Sequence, residues 1–139
     1  MNLVIDTGVL FKMAGAGIHS PLFAAWQAHY FDLYLSHEML SELEDVLSRP
    51  HIQKFVHLNS GQRFLTLLAE RAIFVQPTAH FPHSRDPDDD KVIATAVAAP
   101  ADYLITIDKD LYDDPALVAA LAEQGIQVMQ PGPFQILLR

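Results

Sequence analysis

The chain has 139 residues, half of them hydrophobic, with a formal net charge of −8 and no cysteine. That length suits a single domain, 1–139, with its own core, and no apolar run nears the roughly 20 residues of a membrane span. Disulfides and thiolate metal sites are excluded, and the acidic balance argues against a broad phosphate-binding surface, which needs Lys and Arg.

Leu3-Val4-Ile5 reads as a short buried strand ending at Asp6. Thr7-Gly8 follows as a turn, and Val9 to Ala14 starts a helix that Gly15 and Gly17 break. Ser20 caps a helix from Pro21 to Tyr30. Phe31 to Leu35 is strand-like. Ser36 then caps a helix running to about Ser48, before Pro50. Its stripe is the cleanest in the chain: Met39, Leu40, Leu43, Val46 and Leu47 share one face. Glu38 and Asp45 project away, while Glu42 and Glu44 sit on the two shoulders. A polar stretch, His51 to Asn59, precedes a helix from about Ser60 to Arg71. Ala72 to Val75 is a strand, followed by a Pro- and His-rich loop, Thr78 to Arg85.

Asp86-Pro87 opens the next helix, with small apolar residues from Val92 to Ala99. Tyr103 to Ile107 is a β-rich run ending at Asp108. Pro115 to Gln124 is a helix with Gly125 as its C-cap, Ile126 to Met129 a last strand, and Pro131 to Arg139 an apolar tail. No repeat, linker or low-complexity tract interrupts this order. The N-terminus lacks the basic start, apolar stretch and cleavage site of a signal peptide, so a soluble cytoplasmic protein is expected.

Alternating strands and helices predict a mostly parallel sheet covered on both faces, in three α/β/α layers. Strand carboxyl ends then share one edge, where ligands of open α/β sheets bind. Asp6 and Asp108 end strands and emerge there. Asp89 lies four residues before Ile93 and seven before Ala96, on the apolar stripe of its helix, unlike Asp88. The start of that helix is expected on the far edge unless the Thr78–Arg85 loop climbs back, and that loop is long enough to do so. Glu42 borders the buried stripe and leans toward a cleft, although the same periodicity admits Glu44.

Each acid also has an ordinary reading. Asp6 before Thr-Gly fits a turn former, Asp86 or Asp88 a helix cap, Glu42 a solvated charge, and Asp108 with Asp110 a turn. Together they are harder to explain, because like charges repel and persist where a cation neutralises them. Hard oxygen ligands without cysteine select Mg²⁺ or Mn²⁺. The matching chemistry is phosphodiester hydrolysis.

These motifs, LVIDTGVL, the Ser36…Glu42-Leu43…Val46-Leu47 helix, RDPDDDKVIATAVA and ADYLITIDKDL, resemble the PIN-domain family over nearly the whole chain. The likeness is greatest to its VapC-like toxin ribonucleases of toxin–antitoxin pairs. The family pattern places an aspartate seven residues before the second alanine of Ala-x-Ala, which Ala94-Thr95-Ala96 assigns to Asp89. Its glutamate maps to Glu42 and its Thr-x-Asp acid to Asp108, with Asp110 the frequent further aspartate. The resemblance implies a PIN fold and divalent-metal ribonuclease activity. It also implies frequent homodimers and inhibition by an antitoxin protein. The expected catalytic set is Asp6, Glu42, Asp89 and Asp108, with Asp110 added as metal ligand and Asp86 and Asp90 as an outer shell.

Two other readings compete. One is a catalytically weak PIN-like interaction or RNA-binding module, motivated by sparse Lys and Arg. The other, a phosphoacceptor receiver domain, ranks last because Gln127 to Gln130 supplies no lysine. The seven histidines, His80 and His83 among them, contain no helical His-x-x-x-His pair and are not assigned as ligands. Trp26, Tyr30 and Phe31 suit base stacking but more often form core or dimer contacts. Lys91 and Lys109 flank acids, as phosphate contacts or as charge balance.

Overall fold

The structure, a computed structural model, describes residues 1–77 and 85–139. Five strands form one sheet: β1 (Asn2–Ile5), β2 (Asp32–Leu35), β3 (Ile73–Phe74), β4 (Tyr103–Ile105) and β5 (Gln127–Met129). Their order is β3-β2-β1-β4-β5, and every pairing is parallel. Among the described residues eight α-helices flank it: α1 (Thr7–Ala16), α2 (Pro21–Gln27), α3 (His37–Ser48), α4 (Leu58–Arg71), α5 (Asp90–Ala98), α6 (Lys109–Tyr112), α7 (Pro115–Glu123) and α8 (Pro131–Leu137). The result is the three-layer α/β/α arrangement. Central β1 is covered on both faces, so Leu3, Val4 and Ile5 are all fully inaccessible.

Several boundaries moved for identifiable reasons. The first helix starts at Thr7, because Asp6 caps it, and it runs through Gly15 to Ala16. Gly15 is a contact residue rather than a breaker: a Cβ there would meet Val56 Cγ2 at 3.2 Å. Gly17, at φ +54°, provides the stop. Helix α2 ends at Gln27, short of Tyr30. Its left-handed cap is His29, with Tyr30 N–H donating to the Ala25 carbonyl at 3.0 Å, a Schellman closure made without glycine. Helix α4 begins at Leu58 because His57 Nδ1 accepts from Asn59 N–H. The polar stretch before it holds a 3-10 turn, Ile52–Lys54.

The apolar tail is helix α8, anchored by fully buried Phe134 against Tyr103 and Phe31. Phe31 and Trp26 belong to the core, whereas Tyr30 is exposed. His80 and His83 lie outside the described residues.

Candidate active site

From β1 the chain builds outward to β2 and β3, then returns to lay β4 on the other side of β1. The strand order therefore reverses between β1 and β4, and the carboxyl ends of that pair frame a crevice. Asp6 directly follows β1, and its N–H donates to the Ile105 carbonyl at 2.9 Å. Strand β4 stops at Ile105, earlier than the β-rich run predicts. Thr106-Ile107 then leads to Asp108, which caps α6, a short helix the sequence reading did not separate from its surroundings.

Asp6 is 8% exposed, and both its oxygens are held. Thr7 N–H donates to Oδ1 at 2.7 Å and the Thr106 hydroxyl to Oδ2 at 2.8 Å. Thr106 Oγ1 also accepts the Asp108 N–H at 3.0 Å, so one fully buried hydroxyl ties the acid after β1 to the acid that caps α6. In the sequence Thr106 stands out only as part of Thr-x-Asp. A β-branched hydroxyl between two site acids was the signal that could have flagged it.

The second acidic segment sits at the same edge. Asp86 caps a 3-10 turn, Pro87–Asp89, accepting Asp88 N–H at 3.0 Å, and α5 continues from Asp90. The expectation that the loop must climb back from the far edge is corrected. Strand β3 is parallel to β2, so the chain leaving its carboxyl end is already on the edge where Asp6 lies. No climb is needed, and residues 78–84 of the loop invoked for it lie outside the described residues. Asp89 is 8% exposed, facing inward like Ile93 and Ala96, while Asp88 faces solvent.

One carboxylate oxygen each from Asp86, Asp89, Asp108 and Asp110 lie within 4.8 Å of one another. Asp86, expected in an outer shell, thus joins Asp110, expected as a ligand, in this grouping. Asp6 lies outside it but raises Asp89 by its charge, and Glu42, also outside, acts in turn on Asp6. Burial, above all, pushes the Asp89 carboxyl up to about 8; a hydrogen bond shared with Asp108 and the charges of Asp108, Asp6 and Asp86 add to this. Burial also raises Asp6, against the lowering effect of its bonds from Thr106 and Thr7, with Asp108 and Glu42 raising it further.

Glu42 is half-buried and forms an ion pair with Lys91, whose ammonium it holds above the usual lysine range. The open choice between the shoulders of α3 resolves in space: Glu42 faces α5 and Asp6, whereas Glu44 lines a groove with Leu47, Leu58 and Leu65. The Ser36 and Thr95 hydroxyls, 2.9 Å apart and buried, pin the start of α3 to α5. That pin sets the Glu42 helix beside the Lys91 helix. Asp90 is half-buried at the first position of α5, and Lys109 is exposed.

The residues present fit a divalent cation. The donors are hard oxygens, and Asp89 Oδ2 is buried with no hydrogen-bond partner among the described residues. Caps engage one oxygen of Asp86 and of Asp108, so turn-forming and ligand roles coexist in the same side chains.

The fold and site define a parallel α/β protein with a carboxylate centre at its switch point. The PIN domain family model matches residues 2–110, and the chain belongs to that family. No curated protein matches the sequence. PIN domains are generally nucleases that use a divalent metal, which supports a nuclease reading of this chain. Among the described residues no helix is long and apolar enough to cross a membrane.

Proposed function

We propose that the chain, as a single domain over 1–139, is a Mg²⁺- or Mn²⁺-dependent endoribonuclease. We further propose that it is the VapC-like toxin of a toxin–antitoxin pair, cytoplasmic and homodimeric, held in check by a cognate antitoxin protein. The observation carrying this reading is the convergence of Asp86, Asp89, Asp108 and Asp110 at the switch point of a PIN domain.

Asp6, Glu42, Asp89 and Asp108 are the proposed catalytic acids; the same four with Asp110, and with Asp86 added by the geometry, would hold the cation. A bound divalent ion supplies Lewis-acid stabilisation of phosphate oxygens and an activated water. The protein's own part is preorganisation. Thr7 and Thr106 hold the Asp6 carboxylate in one orientation. Asp89 keeps a proton near neutral pH, which a bound cation would displace. Lys91 restrains Glu42 and sets a cation at the rim where RNA phosphate would approach.

The test is cleavage of single-stranded or structured RNA by purified protein with Mg²⁺ or Mn²⁺. Full activity in EDTA would sink the proposal. A catalytically weak interaction or RNA-binding module is the second reading, favoured by the −8 charge and by the engagement of Glu42 with Lys91. Calorimetry separates the two, since no binding at millimolar Mn²⁺ would favour the module.

A further inference from the structure

The four converging carboxylates come from two chain segments, 86–89 and 108–110, that like charge drives apart. Arg85 lies across the junction. Its Nη2 donates to the Lys109 carbonyl at 2.9 Å and the Asp113 carbonyl at 3.2 Å. Its Nε lies 3.5 Å from Asp110 Oδ1 and 4.0 Å from Asp114 Oδ2. These groups belong to α6 and the residues after it. Helix α6 is four residues long, too short to hold itself. Asp108 caps its start, and the guanidinium closes on the carbonyl of its first residue, Lys109, and on that of Asp113 just past its end, where a cation is favoured. Arg85 is also the residue just before Asp86. One side chain thus fastens the segment carrying Asp86 and Asp89 to the helix carrying Asp110.

We propose that Arg85 is a positioning residue: its planar fork clasps the two acidic segments together and so sets the spacing of the carboxylates that receive the cation. The inference rests on the metal-site reading above. It also opposes simple electrostatics, which makes a cation beside the site a hindrance to metal binding.

That opposition gives the test. Mn²⁺ binding by calorimetry is compared in the wild type, Arg85→Ala and Arg85→Lys, with folding checked by circular dichroism and thermal melting. The expected result is affinity weakened roughly tenfold or more in Arg85→Ala. Arg85→Lys keeps the charge but not the fork, and is expected to fall with it. Unchanged or tighter binding in Arg85→Ala overturns the proposal, whether or not melting shifts, and so does full affinity in Arg85→Lys. Should Arg85→Ala fail to fold, Arg85→Lys alone decides. If the wild type binds no Mn²⁺, the metal-site reading fails and the clasp falls with it; if the wild type binds and the variants match it, only the clasp fails.

Discussion

Two buried regions of this molecule are stabilised in opposite ways. At the junction of α2 and α4, Phe23, Trp26 and Phe64 meet with ring centroids 5.9 to 6.4 Å apart, and Arg71 lies over the Trp26 ring. Burial there removes apolar surface from water and favours folding at any pH. At the carboxyl edge of β1 and β4, burial removes carboxylates from water and sets them beside one another. The same desolvation now works against the fold until a proton or a cation is supplied. A region that folding alone would not favour is thereby the region that a ligand can stabilise.

The sharpest way to break the comparison is to remove one acid. Asp6→Asn is expected to lower RNA cleavage about a thousandfold, about 4 kcal/mol of transition-state stabilisation, with metal-free stability unchanged within about 1 kcal/mol. Cleavage rates and denaturant unfolding of the same preparation check both halves. The aromatic corner should behave inversely. Phe64 is 2% exposed, and Phe64→Ala is expected to destabilise the fold by about 3–4 kcal/mol, equally at pH 5 and pH 8 and with or without divalent ion. Parallel urea curves under those four conditions would show it.

A smaller effect concerns pH. Asp89 binds its proton up to about 8 in the fold, against 3.8 ordinarily, and Asp6 is also raised. The folded metal-free protein therefore holds more protons than the unfolded chain across that window. Stability is fully present below the ordinary carboxylate pKa and declines as pH rises through about 8. Melting temperature without divalent ion should fall from pH 5 to pH 8, and Mn²⁺ should restore more at pH 8 than at pH 5. Asp89→Asn should flatten the decline and raise the metal-free melting temperature at pH 8 by several degrees, corresponding to about 1–2 kcal/mol. An unchanged slope in that variant would remove Asp89 as its source.

How much of this was legible depends on the range of the interaction concerned. The strands and the long helices follow from runs and stripes of apolar residues, as with Leu3 to Ile5 and the Met39, Leu43, Leu47 face of α3. Asp89 was separable from Asp88 because helical periodicity alone turns one inward. Periodicity did not separate Glu42 from Glu44, and only the family resemblance chose between them, since Glu42 meets Asp6 and Lys91 on α5 only in space. Asp86 looked peripheral for the same reason: its meeting with Asp108 and Asp110 depends on how one segment lies over another. The His29 cap and the Ser36–Thr95 pin left no trace, because a left-handed histidine and two hydroxyls from distant helices carry no periodic pattern.

The smallest expected effect sharpens the comparison most, because it changes one hydroxyl and leaves shape intact. In Thr106→Val, Asp6 Oδ2 loses its donor and the Asp108 N–H loses its acceptor, both at the buried end of the crevice. The fold should lose about 1–2 kcal/mol, less than at the aromatic corner, because no cavity opens. The Thr106 bond lowers the Asp6 pKa, so its loss moves that carboxyl further up. Cleavage should then need higher pH, with the acid limb of the rate profile displaced upward and activity near pH 7 reduced about three- to tenfold. Thr106→Ser keeps the hydroxyl and should restore the profile even if it gives back little stability. If Thr106→Val and Thr106→Ser share one pH profile, Asp6 is oriented by its own α1 cap rather than by the hydroxyl that joins it to Asp108.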